Sequence, residues 1–332
     1  MNMRDLILSK RLVGASGGGS ATVKNQHKVI TENGVYKADS GYTGLGTVTV
    51  NVAASGDSGG DFDALIDRSI TEVDSGVTQV GANAFSGCKA LTSVNLPNAT
   101  KIGDSAFREC TAMSAINLPS VTNLDQNAFH KCSALKTVNI PKIDIIGDYA
   151  FQACSSLEIA DFPSATTLGK NALNSCVALK AVNFPNIKSL DYSAFQRCYA
   201  LTTASFQNVT QIGNYAVADC TYIQSVDFHK ATSIGSCAFQ NCLMLKAVIL
   251  RSETVCTLSN TDAFKGCFHI LGTTSSSYNP NGDMDGYFYV PRVLVDSYKS
   301  ATNWSTYASQ IRALEDYTVD GTITGALDPS KI

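Results

Sequence analysis

Charged residues are scarce in this chain, and it contains no long hydrophobic run. Of its 332 residues, 16% are charged and the net charge at pH 7 is −3, so a basic face for nucleic acid is not expected. No stretch approaches the roughly 18 consecutive apolar residues that a membrane helix needs, which predicts that the chain has no membrane span. Its surface must rely on Ser, Thr, Asn and Gln. This composition favours a neutral adhesive surface over a charge-steered enzyme cleft.

Residues with catalytic chemistry are few and scattered. The histidines are His27, His130, His229 and His269, and no carboxylate pair recurs at fixed places for acid–base work. Residues 14–18 spell glycine-x-serine-x-glycine, but no strand precedes them and no plausible acid and histidine follow, which favours a linker over a nucleophile elbow. We therefore expect no enzyme activity and no cofactor. A hydrolase with a concealed site remains an alternative.

Cysteine, in contrast, follows a strict period. Eight of the eleven cysteines are separated by seven consecutive intervals of 22 residues: Cys88, Cys110, Cys132, Cys154, Cys176, Cys198, Cys220 and Cys242. A fixed period of this length indicates a solenoid, in which each coil must stack on its neighbours to bury its apolar side. At 44% hydrophobic content the chain has ample material for such a core.

One coil shows how the period is used. Val94 and Leu96 alternate with polar residues, which predicts a short strand, and Pro97 ends it because proline has no N–H to donate. Apolar residues spaced by three and four from Ala84 to Leu91 predict a helical turn. A glycine column recurs in the coils, and a left-handed bend with positive φ is its expected reason. Its members are Gly103, Gly147, Gly169, Gly213 and Gly235, with Asp125 and Asp191 at the same place in other coils.

The motif Ile102-Gly103-x-x-Ala106-Phe107-x-x-Cys110 resembles the BspA-like leucine-rich repeat family. The resemblance covers roughly residues 62 to 316. It implies an α/β fold, a leucine-rich-repeat solenoid with a short parallel strand and a short helical turn in each coil. It also suggests a bacterial surface adhesin. A fold of this kind does not itself identify a ligand.

The cysteine column is predicted to hold buried free thiols. Neighbouring coils lie about 4.8 Å apart with parallel Cβ directions, whereas a disulfide needs converging Cβ atoms. Occasional oxidation and metal binding are the alternatives. Cys237, Cys256 and Cys267 lie outside the column, and the sequence after Cys267 lacks a second ligand pair for zinc.

Composition divides the chain into six segments. They are an attachment segment (1–13), a Gly/Ser linker (14–20), a small N-terminal β module (21–53), a second linker (54–61), the solenoid with its caps (62–316) and a tail (317–332). Residues 30–36 and 44–52 are similar to a β-element of bacteriophage and prophage tail and fibre proteins. Residues 293–314 predict an amphipathic helix that covers the end of the solenoid, with Trp304 in its core or, alternatively, as a ligand platform.

Two further features concern location and metal. The N-terminus carries Leu6-Ile7-Leu8 followed by Lys10-Arg11, which is too short an apolar run for a signal peptide and predicts a chain made in the cytosol. Residues 281–286 begin like a calcium loop, but Arg292 stands where the bidentate carboxylate is needed. A solvated loop is favoured there, with weak calcium binding as the alternative.

The outward side chains of the predicted strands form the candidate ligand-binding face, with a purely solubilising face as the alternative. Its members are Asn95, Asn117, Asn139, Asp161, Asn183, Ser205 and Asp227, flanked by Thr137 and Thr203. The sequence hypothesis is a non-enzymatic phage or prophage virion protein that recognises a host-surface protein or glycan through this face. Its N-terminal segment would dock on other virion proteins, and a homo-oligomer is possible. The alternative is a leucine-rich-repeat adhesin on a bacterial cell surface.

Overall fold

The structure is a computed structural model that describes residues 19–25, 29–32, 35–38, 46–52, 70–75, 78–274 and 277–317. The chain forms two compact units, residues 1–157 and 158–332, and each is described by itself. The predicted attachment segment 1–13, most of the linker 14–20, the linker 54–61 and the residues after 317 lie outside the described residues. Within the described part, no helix has the length and apolar character needed to cross a bilayer.

The first unit is built from short parallel strands, two in each coil. Its strands are β1 (Gly19–Asn25), β2 (Val29–Glu32), β3 (Val35–Ala38), β4 (Gly46–Val52), β5 (Ile70–Ser75), β6 (Gln79–Val80), β7 (Ser93–Asn95), β8 (Lys101–Ile102), β9 (Ala115–Asn117), β10 (Asn123–Leu124), β11 (Thr137–Asn139) and β12 (Ile145–Ile146). Strands β5, β7, β9 and β11 form one parallel sheet, and β6, β8, β10 and β12 form another. From β7 onward in the first sheet, and throughout the second, the register joins residues 22 apart, as the cysteine period requires, whereas β5 and β7 pair residues 21 apart. The second, two-residue strand of each coil was not predicted.

The strands before residue 53 pair in an antiparallel way. Strand β1 lies between β4 and β5, so it extends the sheet formed by the first strands of the coils. Strands β2 and β3 pair with each other. Strands β2, β3 and β4 lie within the segment predicted as a small β module (21–53), whereas β1 begins at Gly19, in the predicted linker, and pairs with β5 of the first coil.

The second unit repeats the arrangement and adds a C-terminal cap. Its strands are β13 (Ile159–Asp161), β14 (Thr167–Leu168), β15 (Ala181–Asn183), β16 (Ser189–Leu190), β17 (Thr203–Phe206), β18 (Gln211–Ile212), β19 (Ser225–Phe228), β20 (Ser233–Ile234), β21 (Ala247–Leu250), β22 (Thr257–Leu258), β23 (Tyr287–Val290) and β24 (Ile311–Ala313). The α-helices are α1 (Phe268–Leu271) and α2 (Val295–Ser300), and four 3₁₀ segments span Thr261–Phe264, Arg292–Leu294, Trp304–Gln310 and Leu314–Tyr317. The series of parallel strands confirms the leucine-rich-repeat solenoid fold.

Tight turns take the place of the predicted helical turn in the regular coils, and the 3₁₀ segment Thr261–Phe264 occupies that place in the last one. The N–H of Cys110 donates to the carbonyl of Phe107 at 3.2 Å, closing a four-residue turn, while the N–H of Phe107 donates to the carbonyl of Ala128 in the next coil at 2.9 Å. Ser105, two residues before this turn, and Glu109, within it, have positive φ values of 54° and 60°. A helix cannot continue through left-handed residues, so the N–H groups at these positions become available to the neighbouring coil.

The glycine column has a different cause from the predicted one, because Gly103, Gly147, Gly213 and Gly235 do not have positive φ. A Cβ on Gly147 would lie 2.7 Å from the carbonyl oxygen of Leu124, and the Gly147 N–H donates to that oxygen at 2.9 Å. Close approach of two coil backbones therefore favours glycine. Asp125, in the same column, makes the equivalent bond to Ile102 at 2.9 Å, so the preference is not absolute.

The core of most coils includes a phenylalanine and a cysteine that repeat in register, with Leu173 and Val217 at the phenylalanine position of two coils. In the first unit Phe85, Phe107, Phe129 and Phe151 stack with centroids 5.2, 5.3 and 5.4 Å apart. All eleven cysteines are free and buried, which confirms the thiol prediction. Stacked rings gain roughly 0.5–1.5 kcal/mol per pair beyond their burial.

The cap departs from the predicted single helix. Helix α2 ends at Ser300, because the next residue, Ala301, is extended with a ψ of 151°, and Asn303 is left-handed with a φ of 65°. The chain then forms a 3₁₀ segment and β24, which pairs with β23. Trp304 is fully buried and its Nε1 donates to the carbonyl of Cys256 at 2.6 Å. It is therefore a core residue, as predicted, and the alternative of a ligand platform is wrong.

Candidate recognition surface

The strand face comprises the outward side chains of the first strands of the coils. In the first unit the register aligns Asn95 with Asn117 and Asn117 with Asn139. Val94 and Ile116, one residue earlier, are buried, because alternate side chains of a strand point to opposite sides. The three asparagines and Thr137 are exposed. The structure thus brings these predicted residues onto one surface.

Amide groups on this face bond along the stack. Asn139 Nδ2 donates to Asn117 Oδ1 at 2.9 Å, between side chains one coil apart. In the second unit Asn183 Nδ2 donates to Asp161 Oδ1 at 2.8 Å, and both residues are exposed. Each amide has two N–H donors and each oxygen has two lone pairs, so one bond of this kind leaves capacity for a ligand. The bonds also fix the side chains in a repeating row.

The outward side chains of the first strands become more buried and less polar toward the C-terminal end of the second unit. Thr203 and Ser205 on β17 are half-buried. On the next strands, Asp227 aligns with Ile249, and Ile249 aligns with Tyr289. Ile249 and Tyr289 are buried in an apolar cluster with Ala247, and burial raises the pKa of Tyr289 to about 12. The polar face of this unit therefore consists of residues on β13, β15 and β17.

Asp227 does not belong to an exposed surface, so its prediction as a ligand-binding residue is wrong. Its side chain is buried, and Arg251 donates to its two oxygens through Nε at 2.9 Å and Nη2 at 2.8 Å. His229 Nε2 lies 3.7 Å from the same carboxylate. A buried carboxylate needs a charge partner and hydrogen bonds, and the guanidinium provides both. Arg251 follows Asp227 by 24 residues, outside the 22-residue period, and no sequence signal linked the two.

The loop of residues 281–286, where the sequence favours a solvated loop over calcium binding, is held by Lys246, His269 and the amide of Asn279. Asp285 Oδ2 accepts a hydrogen bond from Lys246 Nζ at 2.7 Å, and Asp285 Oδ1 lies 2.5 Å from His269 Nδ1. Burial raises the pKa of Asp285, but its bonds to Lys246 and His269 outweigh burial and hold the pKa below its ordinary value. Asn279 fixes the backbone of Asp283 through two bonds of 2.9 and 3.0 Å. Among the described residues, no three His, Cys, Asp or Glu side chains are grouped to hold a metal ion.

The cysteines lack the environment of reactive thiols. Burial raises the pKa of Cys110 and of Cys132 well above the ordinary thiol value. A nucleophilic cysteine needs the opposite, a lowered pKa in an accessible, electropositive place. Residues 14–18, with their serine, lie outside the described residues.

Known proteins share the repeat. A family model for the BspA type leucine rich repeat region matches residues 67–177 and 144–271, with six copies. A leucine-rich repeat protein from Bacteroides ovatus is 24% identical over 53% of this chain and 59% of its own, with a TM-score of 0.40. The leucine rich repeat protein of T. pallidum is 30% identical over 51% of this chain and 72% of its own, with a TM-score of 0.40.

A leucine rich cell surface protein from Faecalibacterium prausnitzii is 19% identical over 71% of this chain and 82% of its own, with a TM-score of 0.31. No curated protein matches the sequence. This chain spans 59% of the length of the Bacteroides ovatus protein, less than two thirds. The family match begins at residue 67 and does not support the N-terminal resemblance to phage tail proteins.

Proposed function

This chain belongs to the BspA-type leucine-rich repeat family, and we propose that it is a cell-surface recognition or adhesion protein that binds its target without catalysis. The strand face is the proposed contact surface. One observation supports this choice: Asn95, Asn117 and Asn139 form an exposed row with one amide in each successive coil. A repeated row of this kind presents many weak hydrogen bonds to one extended partner.

A non-enzymatic role agrees with the chemistry of the described residues. Burial raises the pKa of the Cys110 and Cys132 thiols above the ordinary thiol value. The carboxylates of Asp227 and Asp285 are held by Arg251 and Lys246. These groups stabilise the fold and are poorly suited to transfer protons to a substrate. Binding through side-chain amides requires no such transfer.

The proposal takes the cell-surface alternative in preference to the virion role. The virion role depends on the β-element of residues 30–36 and 44–52, and the family match does not extend to it. The family resemblance, in contrast, suggests a surface adhesin.

Antibodies against the purified chain distinguish the two locations. Labelling of intact bacterial cells supports the proposal, and labelling confined to phage particles contradicts it.

Binding is tested with the full chain. The labelled protein is incubated with intact bacterial and animal cells, and competition with unlabelled protein measures specific binding. We expect saturable binding that the unlabelled chain displaces and the heat-unfolded chain does not. A chain that shows no saturable binding to any cell type contradicts the proposed function.

A further inference from the structure

A row of exposed tyrosines borders the strand face of the second unit. Tyr199 and Tyr222 are 39% and 47% exposed and lie in the turns that precede β17 and β19. These strands are adjacent, and Thr203 aligns with Ser225, so the two turns occupy the same corner of neighbouring coils. Tyr278 lies beside Tyr222, with ring centroids 6.3 Å apart at an angle of 62°. We call these three side chains the tyrosine ridge.

Neutral hydrogen-bonding groups separate the ridge from the strand face. Thr202 and Gln224 follow the two turns, and the N–H of Gln224 donates to the carbonyl of Thr202 at 2.7 Å. The half-buried hydroxyls of Thr203 and Ser205 come next on β17. A ligand that lies across this edge therefore meets aromatic rings and then amides and hydroxyls.

The charges in this region are neutralised within the protein. The N–H of Lys246 donates to the carbonyl of Gln224 at 2.9 Å, and its Nζ lies 2.7 Å from Asp285. At the other end of the same column, Lys180 Nζ lies 2.7 Å from Glu158. Each lysine of this column is paired to a carboxylate, so the column beside the ridge has no charge excess to attract a polyanion or a basic peptide. Charge complementarity thus favours an uncharged partner.

We propose that the tyrosine ridge binds the sugar rings of an uncharged glycan, whose hydroxyls bond Thr202, Gln224 and the neighbouring strand face. This inference depends on the proposed function and specifies its ligand class. A sugar ring has an apolar C–H face and polar edges. A tyrosine offers a rigid apolar ring with a polar tip at low entropic cost, so it matches both parts of a sugar. The neutral amides and hydroxyls beside the ridge match the ring hydroxyls.

The test uses isothermal titration of the full chain with a panel of uncharged oligosaccharides of glucose, mannose and galactose, and with heparin as a polyanion. We expect saturable binding of at least one neutral oligosaccharide and none of heparin. Tyr199→Ala and Tyr222→Ala should each weaken the affinity by about tenfold or more. Tyr222→Phe retains the ring and should stay within about threefold of the parent affinity.

Tyr192→Ala is the matched control. Tyr192 is 45% exposed and, like Tyr222, packs against a second tyrosine, with its ring centroid 5.7 Å from that of Tyr215. It follows β16 and therefore lies at another corner of the coil. Its replacement should leave the affinity within about twofold. Thermal unfolding of each variant checks that the fold is retained. Equal losses for Tyr192→Ala and Tyr222→Ala overturn the inference, as does a chain that binds no neutral oligosaccharide.

The cell-binding assay separates the two proposals. Periodate treatment of the cells destroys vicinal diols of sugars and should abolish binding, whereas protease treatment should leave it. If the chain binds cells equally well after periodate, the glycan inference fails and the proposed function stands. If it binds neither cells nor oligosaccharides, both fail.

Discussion

The Sγ atom of Cys132 donates a hydrogen bond to the carbonyl oxygen of Phe107 at 3.1 Å, linking two neighbouring coils. The same relationship joins Cys110 to Phe85, also at 3.1 Å. Cysteine is small enough for the interior of the coil and still provides a weak donor to a buried carbonyl. The repeated residues therefore make two kinds of contact between neighbouring coils: phenylalanine rings stack on each other, and a cysteine thiol donates a hydrogen bond to a backbone carbonyl.

Alkaline pH should destabilise this arrangement. Burial raises the pKa of Cys256 to about 12 and also raises that of Cys132, while an unfolded thiol titrates near 8.5. Below about pH 8.5 both states are protonated and the stability is complete. Above it the unfolded chain loses protons that the folded chain keeps, so the free energy of unfolding falls by up to about 1.4 kcal/mol per pH unit for each such thiol.

Urea unfolding between about pH 7 and about pH 10 measures this slope. Cys132→Ala is the matched control, because it removes one of the thiols and should make the slope shallower. It should also lower the stability at neutral pH by about 1–2 kcal/mol, through the lost volume and hydrogen bond. A free energy of unfolding that is constant across this range contradicts the prediction.

The left-handed turn residues predict a stabilising substitution. Ala153 has a φ of 59°, a conformation that costs an L-residue roughly 1–2 kcal/mol and costs glycine nothing. Glycine also increases the backbone entropy of the unfolded chain, which offsets part of this gain. Ala153→Gly should therefore raise the free energy of unfolding by about 0.5 kcal/mol. Gln152→Gly is the control, because Gln152 is not in the left-handed region. This variant should lower the free energy of unfolding by about 0.5–1 kcal/mol. Thermal unfolding compares the two; destabilisation by both variants would contradict the assignment.

The buried ion pair predicts an asymmetric response to mutation. Arg251→Met leaves the Asp227 carboxylate buried without its guanidinium partner and should cost about 3–5 kcal/mol. The double variant Asp227→Asn with Arg251→Met removes both charges and should recover most of that loss. Urea unfolding of the two variants measures the difference. If Arg251→Met changes the free energy of unfolding by less than about 0.5 kcal/mol, the guanidinium does not stabilise the buried Asp227 carboxylate.

The sequence predicted the coils and the buried thiols because both follow from a strict period. It did not predict β8 or β10, since a strand of two residues is too short to show alternation. Tyr149 and Ala153 gave no sign of left-handed backbone, because that conformation is imposed by bonds between coils and is normally marked by glycine.

The candidate surface was predictable only where the period is regular. Asn95, Asn117 and Asn139 are exposed as expected from strand alternation. Asp227 occupies the same column, but its partner Arg251 lies outside the repeat, so periodicity alone could not show its burial. The tyrosine ridge was also missed, because Tyr199 and Tyr222 occupy adjacent places in the repeat and form no column of their own.

The strand face is the surface that we propose contacts the target. It is tested by adding positive charge to that face and, separately, to another exposed surface. The double variant Asn139→Lys with Asn183→Lys alters the face in both units. The control, Gln126→Lys with Gln211→Lys, adds the same charge at two exposed residues away from the strand face. Gln126 lies just after β10, and Gln211 lies in β18.

The decisive measurement is the dissociation constant of each double variant for intact cells. We expect the strand-face variant to bind at least about tenfold more weakly than the parent chain, and the control to stay within about twofold. Equal affinity of both variants, with the fold retained, would show that the strand face is not the recognition surface.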